Sequence, residues 1–430
     1  MDRLLGALGA GGTFAGAEDD PEQQQARATR MAAAVGTLLT DPQFRLTDAG
    51  YRHLVRHHRA LATLFAVTPF RNTDHLLPLL AKTAPGKGLG FPDRSALLKF
   101  LLLYSLYSGP EVDLKGLIQA HPDAVLPAVL HMLSHKVVLA TTAHERRERL
   151  LGELPPLLEG VELPDDAGDL LPALTATWMY CSYATRPDKH AIKGALNGML
   201  RRWLERQGVK PPPLPAARTQ SERPTLLVPL ESFRSTHAMY RCYAPAIGTL
   251  RDRFRLVAMV APKAIDETAR GLFDEVVEVR FDPADVRSLV GQAIRQKPDM
   301  VYFPSLGMEA WTLILANLRL APIQAVSSGH PATTGSPEID YAILRSEALG
   351  DPACYKEALL LTHRNAFPHQ MRADAERMAP EIRDAPGVIR FAIPARSIKL
   401  GPPFLEVCQR IEAGCNRPVE FHFFPNEQGL

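Results

Sequence analysis

A proline-rich segment, KPPPLPAARTQSERP at residues 210–224, separates two stretches of chain with different hydrophobic patterns. Before it, apolar residues recur every three or four positions, which is the period of helices that bury one face. After it, short continuous apolar runs alternate with amphipathic segments, the pattern of a parallel sheet covered on both faces. The segment itself has no periodicity, so we expect an extended linker.

The stretch before the linker is helical almost throughout. The clearest helices are predicted in the segment before Thr40 and at 49–67, 94–107, 123–133 and 188–207. No tetratricopeptide repeat signature is visible in it. We therefore predict an irregular all-α domain over residues 1–209.

The stretch after the linker predicts a Rossmann-like domain over residues 225–386. Six strands are expected to start at Thr225, Arg255, Glu275, Asp299, Pro322 and Asp340, with helices at 238–250, 266–274, 284–296 and 308–318 between them. A last section, 387–430, contains one more strand-helix-strand unit. One such unit cannot bury both faces of its own sheet. It must either dock on the preceding sheet or begin a second Rossmann-like domain that is truncated.

The composition is that of an ordinary globular protein. Lys and Arg number 49 against 47 Asp and Glu, a net charge of +2 that gives no general attraction to nucleic acid or to an anionic membrane. Five widely spaced cysteines without a CxxC pair encode neither a disulfide framework nor a cysteine zinc site. The densest apolar run, from Ala96, is too short to span a membrane and contains Lys99. We expect a cytoplasmic protein with a Gly-rich N-terminal arm.

Ligands of doubly wound sheets lie at the carboxyl ends of the strands, so the loops there hold the candidate binding residues. Four such loops stand out: ESFRSTHAMYR, PSLGM, SGHPATTGS and ARSIKL. Their candidate ligand-binding residues are Tyr240, Arg241, Ser305, Gly307, Gly329, Thr333, Thr334, Gly335, Ser336, Arg396 and Lys399.

The SGHPATTGS loop combines hydroxyls, an imidazole and backbone N–H groups, which suits a polar ligand. The alternative is a tight turn whose threonines satisfy its own backbone. His330 is the ionisable residue of this loop and is a candidate general base, or else a hydrogen-bonding support. His237, beside Tyr240 and Arg241, is a second candidate catalytic residue.

Lys399 follows a strand and precedes a helix that begins near Pro402. A cation beside the N-terminus of a helix can bind a phosphate, although many such lysines are only solvated. Two histidine pairs, His53 with His57 and His131 with His135, have helical spacing but no third ligand, so we expect no zinc site. No acidic metal-binding pair or nucleotide-cofactor fingerprint occurs.

The run LRLAPIQAVSSGHPATTGSPEIDYAIL, residues 318–344, resembles glycosyltransferase family 41. This family contains the O-GlcNAc transferases and the bacterial N-glucosyltransferases that modify high-molecular-weight adhesins. The GHPATT form is closer to the adhesin enzymes. The HAMYR, DMVYFPSLGM and DPACYKEALLL segments support the resemblance, as does a helical half without tetratricopeptide repeats.

The resemblance implies a GT-B-like fold, here with a helical domain, one complete Rossmann-like domain and the beginning of a second. It implies acceptor contacts on the first Rossmann-like domain and UDP-sugar contacts mainly on the second, without a metal or other cofactor. Lys399 matches the lysine that contacts the UDP diphosphate in this family, and Arg396, Thr333 and Thr334 are further donor-side candidates. The implied reaction is an inverting transfer from a UDP-sugar to a protein side chain.

The chain departs from the N-glucosyltransferases at Gly335, where they carry a histidine and the O-GlcNAc transferases do not. The acceptor is therefore Asn or Ser/Thr, and we expect a hexosyltransferase acting on an adhesin or other bacterial surface protein. Because section 387–430 is short, we also expect the donor half to be incomplete. The alternatives are a non-catalytic acceptor-docking or partner protein, and another sugar-nucleotide enzyme such as an epimerase.

Overall fold

The computed structural model describes residues 20–84, 88–138, 140–210, 223–371, 379, 382, 384 and 386–424. The N-terminal arm and most of the expected linker lie outside these residues. The chain divides into two compact units. The first contains Met1–Leu151, Tyr183–Thr185 and Pro380–Leu430, and the second contains Gly152–Ser182 and Arg186–Ala379. The division predicted from sequence, at residues 209, 224 and 386, stays a prediction.

The first unit is mainly helical. Its helices are α1 (Pro21–Thr40), α2 (Asp48–Val55), α3 (His58–Ala66), α4 (Leu77–Leu80), α5 (Arg94–Leu103), α6 (Leu114–Ala120), α7 (Pro122–Leu133) and the first part of α8 (Thr141–Leu158). Asp20, Thr47, Asp93 and Asp113 cap α1, α2, α5 and α6 by accepting a hydrogen bond from a first-turn amide.

The single helix predicted at 49–67 is wrong, because the chain turns at Arg56 and His57 between α2 and α3. The turn lets each helix bury its own apolar face. The all-α prediction also needs a correction, since β1 (Lys82–Ala84) and β2 (Gly88–Gly90) form an antiparallel pair. The sequence KTAPGKGLG around them contains Pro and Gly, which do not continue a helix.

The section after residue 386 forms a strand-helix-strand unit of its own. Strands β10 (Ile389–Ile393) and β11 (Val419–Phe423) pair in parallel, joined by a helix at Pro402–Gly414. β10 and β11 make a separate two-stranded sheet and do not extend the seven-stranded sheet by strand pairing. The intervening helix is long enough to return the chain beside its own first strand.

The second unit is built around a seven-stranded sheet. Its strands are β3 (Thr225–Leu230), β4 (Arg255–Val260), β5 (Glu275–Glu278), β6 (Met300–Phe303), β7 (Ile323–Ser327), β8 (Tyr341–Arg345) and β9 (Ala358–Thr362). The spatial order is β5-β4-β3-β6-β7-β8-β9, and every neighbouring pair is parallel. The chain therefore reverses its direction of travel across the sheet between β3 and β6, which is a topological switch point.

Helices pack around this sheet. The unit contains the end of α8, then α9 (Leu171–Tyr180), α10 (Ala191–Arg206), α11 (Ala238–Gly248), α12 (Glu267–Arg270), α13 (Val286–Arg295) and α14 (Ala310–Leu315). The helix that follows β10 in the first unit, Pro402–Gly414, is α15. Strands β3 and β4 are buried almost throughout. The predicted fold class, a helical N-terminal part followed by a Rossmann-like parallel sheet, is confirmed. That section 387–430 begins a second Rossmann-like domain stays a prediction.

All six predicted strands are present, and β9 was missed. Its sequence ALLLT is a short apolar run, and such a run fits a buried helix as well as a strand. Helices α12 and α14 are shorter than the predicted 266–274 and 308–318. Within the described part of the chain, no helix is both long and apolar enough to cross a membrane.

Three histidines lie in the core of the first unit. His58, His131 and His135 are 0%, 8% and 0% exposed. Nε2 of His58 lies 2.7 Å from the carbonyl oxygen of Tyr104, whereas neither ring nitrogen of His135 has a hydrogen-bond partner among the described residues. Burial lowers the pKa of His58 to about 4 and that of His131 to about 3, and holds the pKa of His135 well below its usual range. These side chains are neutral at pH 7.

We expect the buried histidines to make the protein sensitive to acid. Their folded pKa lies below the unfolded value, so the unfolded state binds more protons once the pH falls below about 6.5. Stability is complete above that pH and decreases toward pH 4. His131→Leu should reduce the loss of unfolding free energy between pH 7 and pH 5 by about 2 kcal/mol, measured by urea denaturation.

His363→Gln is the matched control, because it removes an imidazole that is exposed and lies outside the core. A His131→Leu variant that loses as much stability at pH 5 as the unmodified chain would show that His131 is not buried in its neutral form.

Candidate functional site

The loops after β3 and β6 meet at the switch point of the sheet, and a buried carboxylate joins them. Glu231, directly after β3, is 5% exposed. Its carboxylate accepts hydrogen bonds from the Ser305 hydroxyl at 2.8 Å and from the Gly307 amide at 2.9 Å. It also accepts from the backbone of Met308 and Glu309 and from the Thr312 hydroxyl at the start of α14. The candidate ligand-binding residues Ser305 and Gly307 are thus held in place by Glu231.

Glycine is required in two of these loops. Gly307 has a φ of +108°, and a Cβ there would lie 2.3 Å from the Trp178 ring. Gly329, in the loop after β7, donates its amide hydrogen to the Pro304 carbonyl oxygen at 3.1 Å. A Cβ at Gly329 would lie 2.4 Å from that same oxygen. The loops after β6 and β7 therefore touch backbone to backbone.

His330 belongs to a buried polar cluster at the carboxyl end of β7. It is 7% exposed, and its Nε2 lies 2.9 Å from the Ser182 hydroxyl and 3.1 Å from Nζ of Lys193. Lys193 also donates to the carbonyl oxygen of Thr333 at 2.8 Å, and its Nζ lies 4.1 Å from the centroid of the Trp178 ring. An ammonium only donates, so Nε2 of His330 carries a lone pair and the ring proton is on Nδ1.

These contacts oppose protonation of His330. Burial, together with the charge of Lys193, holds the pKa of His330 well below its usual range. A proton on Nε2 would place two positive charges about 3 Å apart inside the protein. Burial also lowers the pKa of Lys193 to about 8, so most of this lysine is charged at pH 7. The geometry favours the alternative left open by the sequence, a supporting role, and the general-base role of His330 stays a prediction.

The remaining polar groups of this loop bind other parts of the second unit. Glu357 is 5% exposed and accepts from the Thr333 hydroxyl at 2.8 Å, the Thr334 amide at 2.7 Å and the Thr334 hydroxyl. The Ser336 hydroxyl donates to the Ala316 carbonyl oxygen at 2.7 Å. Thr333, Thr334 and Ser336 thus use their hydroxyls within the protein.

Gly335 takes the left-handed conformation, with a φ of +64°. A Cβ at this position would lie 3.2 Å from Cβ of Lys193 on α10. Asn197, one turn further along α10, donates to the Thr334 carbonyl oxygen at 3.0 Å and accepts from the Trp178 indole N–H at 3.1 Å. The loop after β7 therefore packs closely against α10 at this point.

The loop after β3 presents the second candidate histidine. His237 is partly exposed and caps α11, accepting a hydrogen bond on Nδ1 from the Met239 amide at 3.2 Å. Arg241, one turn later, donates to the Thr236 carbonyl oxygen at 2.6 Å. Tyr240 is partly exposed and packs edge-on against Phe233, with ring centroids 5.4 Å apart. His237, Tyr240 and Arg241 are therefore more accessible than His330, Thr333 and Thr334 of the SGHPATTGS loop.

Lys399 lies in the first unit, at the end of a short 3₁₀ turn before α15. It lines a cavity of about 230 Å³ together with residues of the helical part, namely Lys136, Val138, His144, Arg147, Tyr183 and Thr185, and its own neighbours Ser397, Ile398, Leu400, Gly401, Pro403 and Phe404. Arg396 is exposed and its carbonyl oxygen accepts from the Lys399 amide at 2.8 Å. In the described ranges, no group of three or more His, Cys, Asp or Glu side chains is placed to hold a metal ion.

Sequence reasoning missed Glu231, Lys193, Glu357 and Arg147. A signal existed for Lys193, because it follows Ile192 and precedes Leu196 on the apolar stripe of α10, where a charged residue is unusual. Arg147 on α8 is also buried, with 4% of its surface exposed. The segment around it is rich in charged residues, so its sequence does not show which of them is buried. Glu231 and Glu357 follow or precede strands and resemble ordinary loop carboxylates in sequence.

The chain is similar to known proteins in sequence over most of its length. Residues 115–204 match the family model described as HMW1 domain 2. Two UDP-glucose:protein N-beta-glucosyltransferases of Actinobacillus pleuropneumoniae, from serotype 5b (strain L20) and serotype 7 (strain AP76), are 31% and 30% identical over 405 residues. The resemblance found in the sequence is confirmed.

These alignments cover 92% of this chain and 64% of each relative, so the chain spans just under two thirds of their length. Among solved structures, an O-GlcNAc transferase mutant of Thermobaculum terrenum matches 94% of this chain and 69% of its own, with 18% identity and a TM-score of 0.49. The likeness to the two N-glucosyltransferases extends over nearly the whole of the present chain.

We expect Glu231→Ala to destabilise the second unit by about 3–5 kcal/mol, because five donors would lose a buried acceptor. Urea denaturation measures the change. Glu309→Ala is the matched control in the same loop; its side chain is exposed, and we expect a change within about 0.5 kcal/mol. Equal effects of the two substitutions would contradict the anchoring role of Glu231.

Proposed function

We propose that this chain is a UDP-sugar-dependent protein glycosyltransferase that transfers a hexose to Asn, or to Ser/Thr, of a bacterial surface protein such as an adhesin. The observation that carries the proposal is the position of Lys399. The residue that the resemblance aligns with the diphosphate-binding lysine lines a cationic cavity in front of α15. The likeness to two N-glucosyltransferases over 92% of the chain supports the same chemistry.

In the proposed reaction, the acceptor nitrogen or oxygen forms a bond to the anomeric carbon of the sugar while the bond from that carbon to the UDP oxygen breaks. The acceptor loses a proton and UDP leaves with an additional negative charge. Lys399 would stabilise that charge, since a fixed cation acts most strongly where charge develops. Inversion at the anomeric carbon follows from a single displacement, and neither a metal nor another cofactor takes part in the proposal.

For the proton, His237 is the more accessible of the two candidate histidines, and it can act as a base once its Nδ1 releases the Met239 amide. It is partly exposed at the carboxyl end of β3, next to Tyr240 and Arg241. His330 already accepts from a buried ammonium and has a lowered pKa. We therefore propose that His237, Tyr240 and Arg241 face the acceptor. In this proposal His330, Thr333 and Thr334 shape the loop after β7, with Gly329, Gly335 and Ser336 allowing its close packing. We also propose a cytoplasmic location, where UDP-sugars are made.

The proposal predicts sugar transfer that depends on Lys399. Incubating the chain with UDP-[¹⁴C]glucose and a denatured high-molecular-weight adhesin should label the adhesin. Lys399→Met should lower kcat/KM by about 10²–10³, because the leaving group loses its stabilising charge. Lys115→Met, which removes an exposed lysine of α6, is the control and should leave the rate unchanged.

His237→Ala and His330→Ala separate the two candidate bases. We expect His237→Ala to abolish the labelling and His330→Ala to lower it together with the stability of the fold. Labelling that is unaffected by Lys399→Met would contradict the proposed site. Binding of UDP without any transfer would favour the non-catalytic alternative.

A further inference from the structure

A buried lysine controls where the ring proton of His330 can lie. Lys193 on α10 is 0% exposed, and its Nζ is 3.1 Å from Nε2 of His330. The same ammonium donates to the Thr333 carbonyl oxygen and lies over the Trp178 ring. An ammonium has three donors and no acceptor. Nε2 of His330 therefore presents a lone pair whenever Lys193 is charged.

The second group at Nε2 does not impose the same choice. The Ser182 hydroxyl oxygen lies 2.9 Å from Nε2 of His330. A hydroxyl can donate to a ring nitrogen or accept from its N–H. Ser182 alone would thus leave both neutral tautomers of His330 available, so Lys193 is the contact that decides between them.

The other ring nitrogen of His330 is not used inside the protein. Nδ1 makes no hydrogen bond to any described residue, and it is not one of the fully buried atoms that lack a partner. The 7% of His330 that is exposed therefore includes Nδ1. Because Nε2 carries a lone pair, Nδ1 carries the proton and presents an N–H donor at the carboxyl end of β7.

The surrounding charges keep this pair in one protonation state near neutral pH. The ionisable groups that act on it are Cys181, Lys189, His190 and Glu357. Burial lowers the pKa of Lys193 to about 8, although Cys181 and Glu357 oppose that shift. Burial, then Lys193 and His190, hold the pKa of His330 well below its usual range. At pH 7 the imidazole is neutral and most of Lys193 is charged.

We propose that Lys193 is a positioning residue that holds His330 in the neutral Nδ1–H tautomer, so that His330 donates a hydrogen bond to an uncharged ligand oxygen and does not accept a proton. A neutral N–H suits a hydroxyl or carbonyl oxygen, whereas an anion at this point would favour a charged imidazolium. That the ligand is a substrate of sugar transfer rests on the proposed function. The tautomer itself does not.

Nitrogen NMR of the whole 430-residue chain, labelled with ring-¹⁵N histidine, tests the tautomer. A protonated ring nitrogen and one with a lone pair have different chemical shifts, and His330→Asn removes the signals that belong to His330. We expect a protonated Nδ1 and an unprotonated Nε2 at pH 7. This preference should decrease as the pH rises through about 8, because a neutral Lys193 can accept from an Nε2–H.

Lys193→Met should allow the Nε2–H tautomer at pH 7, since the Ser182 hydroxyl can then accept from it. Lys189→Met is the matched control. It removes a nearby cation that is not one of the two groups bonded to Nε2 of His330, and the Nδ1–H tautomer should remain. Circular dichroism shows whether each variant is folded.

A comparison of two substitutions at His330 tests its role as a donor. Asn places an amide N–H near the position of Nδ1 and a carbonyl oxygen that can accept from Lys193, whereas Leu offers neither. In the sugar-transfer assay we expect kcat/KM of His330→Asn to exceed that of His330→Leu about tenfold, because one ligand hydrogen bond is kept.

The outcomes separate this inference from the proposed function. A protonated Nε2 in the unmodified chain at pH 7 overturns the inference, whether or not the variants fold. An unchanged tautomer in folded Lys193→Met overturns the role of Lys193, and equal kcat/KM values for His330→Asn and His330→Leu overturn the donor role. An Nδ1–H tautomer that depends on Lys193, without any sugar transfer, supports the positioning role and contradicts the proposed function.

Discussion

A carboxylate removed from water must have its oxygens satisfied by donors, and the second unit is organised around two that meet this requirement. Glu231 draws the loop after β6 and the start of α14 toward the end of β3. Glu357 does the same for the loop after β7. Breaking such an arrangement on one side leaves a buried charge without compensation. The carboxyl edge of the sheet is therefore fixed by internal anions.

The hydrogen bonds from these loops to Glu231 affect where a ligand phosphate can bind. The switch point of a parallel sheet commonly receives the phosphate of a nucleotide, where loop amides point at the anion. Here the amides of Gly307 and its two neighbours point at Glu231 instead. The first Rossmann-like domain thus fills its own anion position, which is consistent with the proposed acceptor role of this domain.

Each unit contains a buried cationic side chain, Lys193 in the second unit and Arg147 in the first. Lys193 in the second unit is surrounded by a carbonyl oxygen, a histidine nitrogen and an aromatic face, which use its charge to hold a loop. Arg147 in the first unit lines a cavity together with Lys136 and Lys399. A buried cation that accepts several partners stabilises the fold around it.

The fold class could be predicted from the sequence, because the hydrophobic period changes from helix to parallel strand across residues 210–224 and each strand is a continuous apolar run. The sequence also located the loops and singled out Lys399, since loop composition is a local property. It did not show β9, a short run that fits either element, or the turn between α2 and α3. Only the tertiary structure decided which polar groups are consumed internally, as with Thr333 and Thr334, and which cations converge on a cavity, as with Arg147 and Lys399. Those outcomes depend on burial and on contacts between residues far apart in the chain, and no local pattern contains that information.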